Sequence, residues 1–220
     1  MNDAAPVSAA RRAYRQAARA EAAETTARRI VAAFRAALLA DWLESITLDQ
    51  VARAAGVSVQ TVIRRFGGKD GLLQAVAAEM GQEVLGTRGA PRGDLAAAVA
   101  NLCADYETTG DMILRLLAQE PRYPSLTPFL DLGRRGHRDW VAGVAEPWLE
   151  RLSPQGAAAA LDALVAAMDV YVWKLARRDW GRSPEEARAL ILRLATGALA
   201  SFFPPHSLEP AETGGRHESA

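Results

Sequence analysis

The chain has 220 residues, half of them hydrophobic and only 6% aromatic, which suits a soluble protein of one large or two small domains with a real core. Its 26 basic and 26 acidic side chains cancel, which at first argues against a nucleic-acid partner, and its lone cysteine, Cys103, excludes an internal disulfide and fits a reduced, intracellular setting. Alanine is abundant, β-branched runs are scarce and no segment alternates with period two, so an all-α fold is expected.

Met1 to Ala10 has no apolar core of signal-peptide length and reads as disordered. Arg11, Arg12, Arg15 and Arg19 follow, with Tyr14 among them, so residues 1–20 form a flexible basic arm or a solvated, fraying helix start. The first firm helix is expected over Glu21–Ala40, with Ile30, Val31, Phe34 and Leu38 as its apolar stripe. Next comes the most specific stretch, Ile46 to Asp70. Thr47 can cap a helix, with Gln50 reaching back to complete a capping box, and Ile46 and Val51 fall at the positions of a hydrophobic staple. Gly56 sits just past that helix, where a left-handed backbone suits a residue without Cβ. Ser58 caps the next helix, and Val62 and Phe66 give it one buried stripe. Helices are therefore expected over Leu48–Ala55, Val59–Phe66 and Lys69–Leu85, and residues 21–85 form a first domain with helix-turn-helix spacing.

Residues 1–80 carry 11 basic and 8 acidic side chains, +3, and residues 81–220 carry 15 and 18, −3, so the basic half is the half with the motif. Gly86 to Gly93, with three glycines and Pro91, reads as a connection. Beyond it, residues 94–203 should hold helices over Leu95–Thr108, Asp111–Gln119, Ser125–Arg135, Asp139–Arg151, Pro154–Arg178 and Pro184–Phe202. Ser153 before Pro154, and Ser183-Pro184-Glu185-Glu186, mark the last two entries. The most apolar run, Ala157 to Trp173, is broken by Asp162 and Asp169, so no membrane span is expected. Residues 204–220 are rich in Pro, Gly, Glu and His and read as a disordered tail.

Ile46-Thr47-Leu48-Asp49-Gln50-Val51-Ala52, Gly56-Val57-Ser58, Thr61-Val62 and Phe66-Gly67-Gly68-Lys69 resemble the tetracycline-repressor (TetR) family of bacterial transcription regulators. The resemblance is strong over about residues 25–80 and architectural beyond. It departs at Ile63, where the family usually has a Tyr that touches the DNA backbone, and at Arg65, where it often has His. It implies an all-α fold: an N-terminal three-helix helix-turn-helix DNA-binding domain and a C-terminal helical ligand-binding and dimerisation domain. It also implies a homodimeric regulator, most often a repressor, on double-stranded DNA; a cytoplasmic setting is expected from the lack of a signal-peptide core and of a membrane span.

In such a domain the second short helix enters the major groove. With Val62 and Phe66 turned inward, Val59, Gln60, Thr61, Ile63, Arg64 and Arg65 are left for DNA. Gln60 suits an adenine edge and Arg64 a guanine edge, while Val59 and Ile63 can offer only apolar contact. Thr61, Arg65 and Lys69 suit phosphate, Lys69 opening a helix whose free N–H groups already favour an anion. Thr47, Arg15 and Arg19 complete the expected DNA set, the two arginines through the arm.

In the second domain, Trp140, Trp148, Tyr171, Trp173 and Trp180 gather with Met112, Leu116 and His137. Met112, Leu116, His137, Trp140, Asp169 and Trp173 are the candidate lining of an effector cavity, with Asp169 or His137 as polar handle; plain core packing is the alternative. Leu161, Met168, Leu190, Leu194 and Ala198, on the last two helices, are the candidate dimer interface; an intramolecular core would use the same stripe. Arg134-Arg135-Gly136-His137-Arg138 reads as a solvated loop, with an anion site as the outside alternative.

No catalytic motif, metal-ligand cluster or cofactor loop is present in the sequence, and Glu185 and Glu186 are explained by capping, so an enzyme is not expected. An effector-independent architectural DNA binder is the nearer alternative, and an all-helical enzyme the more distant one.

Overall fold

The computed structural model describes residues 5–87 and 89–203, with side chains at 16–80 and 89–203. The expected tail at 204–220, residues 1–4, and the side chains of Arg11, Arg12, Tyr14 and Arg15 lie outside these described residues. Within them every regular element is helical. The chain divides into two compact units, Met1–Ala78 and Glu79–Ala220.

The first unit holds α1 (Ala5–Ala40), α2 (Leu48–Ala54), α3 (Val59–Phe66) and the start of α4 (Lys69–Thr87). Its core is Ile30, Val31, Phe34 and Leu38 of α1 with Leu43, Ile46, Val51, Val62, Leu72, Leu73 and Val76. α1 begins at Ala5 instead of near Glu21, so the stretch from Ala5 to Ala10 is helix and the basic arm is the first part of α1. Alanine and arginine are strong helix formers, and nothing between Ala5 and Glu21 breaks the helix. α4 runs on to Thr87, through Gly86, so the unit boundary falls inside a helix, ahead of the glycine-rich connection.

The second unit comprises α5 (Leu95–Gln119), a short 3₁₀ turn (Pro124–Leu126), α6 (Thr127–Leu149), α7 (Pro154–Ala167), α8 (Val170–Lys174), a π-helical turn (Leu175–Asp179) and α9 (Pro184–Ala200). Two expected breaks are absent, and one break appears where a continuous helix was expected. α5 passes straight through Gly110, where a Cβ would lie 2.5 Å from the Trp173 ring; the glycine serves a neighbour, not a turn. α6 likewise runs through Gly136, so the Arg134–Arg138 group is helical and not a loop. Two of its cations have internal partners: Arg134 pairs with Glu120 and Asp131, and Arg138 with Asp162.

The expected helix Pro154–Arg178 is interrupted at Met168–Asp169, where Asp169 accepts from the Tyr171 N–H at 2.9 Å and starts α8. By length and composition Pro154–Asp179 would pass for a membrane span, contrary to the sequence expectation. Here it is divided by that cap, and Leu164, Met168 and Trp173 are fully buried in the unit's core. Cys103 belongs to the same core, and its thiol is pushed up to about 11, first by burial and then by nearby Glu107.

Trp173 is the largest fully buried side chain. Its indole N–H donates to Glu107 at 2.9 Å and the Arg178 guanidinium lies 4.5 Å from the centre of the indole. The π turn brings two successive arginines onto α5, Arg177 to Glu107 at 2.7 and 2.9 Å and Arg178 to Asp111 at 2.8 Å twice. Such forked pairs fix orientation as well as distance.

Gly110→Ala would force a methyl against the Trp173 ring, and overpacking of this kind costs about 1–3 kcal/mol; a lowered urea midpoint is expected, and an unchanged one would show that Trp173 moves freely. The Arg177 hydrogen bond holds Glu107, and the Arg178 hydrogen bond Asp111, below the usual carboxylate range. Their stabilisation is therefore present above about pH 4 and lost as pH falls through the lowered folded values. Midpoints measured against pH should show a shallower acid limb in Glu107→Gln than in the wild type.

Candidate nucleic-acid interface

The first unit is built to hold one short helix in place. Thr47 caps α2: its hydroxyl accepts from the Gln50 N–H at 3.2 Å, while the Gln50 carboxamide accepts from the Thr47 N–H at 2.7 Å. The capping box is thus formed as the sequence implies. At the other end Gly56 takes φ +64°. Its N–H donates to Arg53 O at 3.1 Å and that of Val57 to Ala52 O at 2.9 Å, the paired closure of a Schellman motif. Ser58 then caps α3, accepting from the Thr61 N–H at 3.2 Å, and its hydroxyl also meets that of Thr61 at 3.0 Å.

α3 turns Val62 wholly inward and leaves Gln60, Ile63, Arg64 and Arg65 exposed, with Val59, Thr61 and Phe66 half-buried. Ile63 is 41% exposed, an uncovered apolar side chain between polar ones. α3 ends at Gly67, in the left-handed region at φ +73°, and α4 starts at once. That close succession requires Gly71, because a Cβ there would lie 1.8 Å from the Phe66 carbonyl oxygen.

Lys69 stands at the first position of α4, but its ammonium is not simply free for an anion. Nζ donates to the Leu43 carbonyl at 2.9 Å, and burial pushes its pKa below the usual value. An ammonium has three N–H donors, so two remain. Sequence reasoning missed this tether, because Leu43 precedes Lys69 by 26 residues. It also missed Arg29 on α1, which donates to Ala55 O. The signal available was an arginine flanking the apolar stripe, too common a pattern to single out. Arg19 is exposed on α1, and Thr47 is exposed at the start of α2.

The other candidate residues lie in the second unit. Met112, Leu116 and Trp173 are buried, and Trp140 and His137 are half-buried with rings 6.0 Å apart. Asp169 is engaged as the α8 cap. Tyr171 and Trp180 are 57% and 55% exposed, so they are surface aromatics and not part of an interior lining. Among the interface candidates Leu194 is 43% exposed and Leu161, Leu190 and Ala198 are half-buried. Met168 is corrected: with no exposed surface it packs the unit's own core. Among the described residues no group of three or more His, Cys, Asp or Glu is placed to hold a metal ion.

Residues 43–76 match a family described as bacterial regulatory proteins, tetR family. The matched span begins at Leu43 and ends at Val76, so it takes in the capping box, the glycine turn, α3 and the Lys69 tether. No curated protein matches the chain.

Gly71→Ala should be among the most damaging small substitutions in this unit, since backbone atoms must separate; overpacked sites lose about 1–3 kcal/mol. Chemical denaturation followed by circular dichroism checks it, and a wild-type midpoint would contradict the close α3–α4 succession.

Proposed function

We propose that this chain, a DNA-binding transcription regulator of the tetR family, binds a palindromic operator as a homodimer, acts as a repressor and releases DNA when a small molecule occupies its second unit. The observation that carries the DNA reading is α3: capped at Ser58, stopped at Gly67, buried on one side through Val62 and offering Gln60, Ile63, Arg64 and Arg65 on the other.

In the major groove Gln60 pairs with an adenine edge and Arg64 with guanine O6 and N7. Ile63 and Val59 take the apolar role against a thymine methyl. Thr61, Arg65, Thr47 and the remaining Lys69 donors hold phosphates, and Arg15 and Arg19 extend that contact along the DNA. Arg65 supplies charge where Ile63 has no hydroxyl to give.

One module of this size makes a small interface, so two are used, with half-sites about one helical turn apart. Leu161 of α7 and Leu190, Leu194 and Ala198 of α9 form the self-complementary face, supported by the uncovered Leu194 side chain. Met112, Leu116, His137, Trp140 and Trp173 surround the effector. A ligand that favours one spacing of the paired DNA-binding domains, by about 1–3 kcal/mol of coupling, changes operator affinity roughly 5–150-fold.

Selection of bound fragments from the organism's own DNA, followed by footprinting, tests the reading. A single short palindrome is expected, and uniform coverage of random DNA would instead indicate an architectural binder. On the selected site, Gln60→Ala and Arg64→Ala should each cost about 1–3 kcal/mol and relax preference at particular positions. Lys69→Ala should weaken all duplexes alike and lower the salt slope by about one; an unchanged slope would assign Lys69 to the Leu43 tether alone.

A further inference from the structure

One side chain of α1 reaches the far end of α2. Arg29 donates to the Ala55 carbonyl from Nε at 3.1 Å and from Nη2 at 2.7 Å, and Nη2 also lies 3.4 Å from the Gly56 carbonyl oxygen. These two carbonyls belong to the bend between α2 and α3. The Schellman closure uses the carbonyls of Ala52 and Arg53, and the Ala55 N–H takes that of Val51. Ala55 O stands beyond those bonds, among the last carbonyls of α2, where a helix has no donor of its own to offer. A guanidinium there satisfies it and also suits the negative end of the helix dipole.

The geometry matters at the entry of α3, because its exit is already fixed by Gly67 and by the close approach of α4 at Gly71. α3 is eight residues long, and Val62 is its one fully buried side chain. Its entry is set by Gly56 at φ +64° and the Ser58 cap, and Gly56 is the most permissive residue in the bend. Arg29 holds the bend on both sides of that glycine.

We propose that Arg29 is a positioning residue for DNA recognition: it locks the bend from Ala55 to Ser58, and so the angle of α3, without touching DNA. The proposal rests on α3 reading base edges. Its test compares wild type, Arg29→Met and Arg29→Lys on the selected operator and on a scrambled duplex, across a salt series, well below each protein's thermal midpoint.

For Arg29→Met the ratio of operator to scrambled affinity should fall about ten-fold or more, within the range of a charged hydrogen bond, with the salt slope unchanged. Arg29→Lys, which keeps the charge but replaces the fork with one flexible donor, should fall between the two and serves as the folded comparison. Equal weakening on both duplexes with a slope lower by about one would mark a phosphate contact and overturn the proposal. A lowered thermal midpoint with an unchanged affinity ratio would also overturn it, reducing Arg29 to stability alone. A wild type without operator preference would remove the α3 reading itself, and this inference with it.

Discussion

The angle of α3 depends on the bend from Ala55 to Ser58. α2 and α3 have seven and eight residues, lengths at which a lone helix is marginal in water. Neither helix holds its place by propensity. The bend gives them their relation through a left-handed glycine, two backbone bonds donated back to α2, a serine cap and a guanidinium from α1. α1 supplies the buried face of Ile30, Phe34 and Leu38 on which the pair rests. The side of α3 away from that core carries Gln60, Ile63, Arg64 and Arg65, all of them exposed.

A second constraint of the same kind shapes the other unit. Trp173 needs the bare backbone of Gly110 on one side and the Arg178 guanidinium on the other, with Glu107 receiving its N–H. Past the Asp169 cap, the π turn lets two successive arginines both meet acids one helical turn apart on α5. π turns commonly stand where function asks a helix to deviate. Here the deviation ties the segment after α8 to α5, the helix that also carries Met112 and Leu116.

Capping motifs were the most legible features. Thr47–Gln50, Ser58, Ser153 and Ser183–Glu186 each signal a helix start by short-range chemistry, and the structure forms all four caps. Glycines were less legible, because one residue type serves opposite ends. Gly56 and Gly67 stop helices, whereas Gly110 and Gly136 lie inside them, Gly110 to admit a ring from another helix. Asp169 looked like a charge inside an apolar run, and its role as a cap required knowing that the helix restarts there. Within the candidate interface, the exposed set on α3 followed from four-residue spacing, while Arg29 and the Lys69–Leu43 tether join residues 26 apart and leave no local trace.

The central claim is that the outer side chains of α3 read paired bases. An equilibrium titration of purified protein against one selected duplex and its scrambled counterpart, at about 0.15 M salt, addresses it most directly, because at that ionic strength backbone attraction alone is weak. The account predicts tighter binding to the selected duplex by at least about a thousand-fold, the lower end of what specific DNA-binding proteins achieve. Equal affinity for both duplexes, with and without cell extract as a source of small molecules, would contradict it.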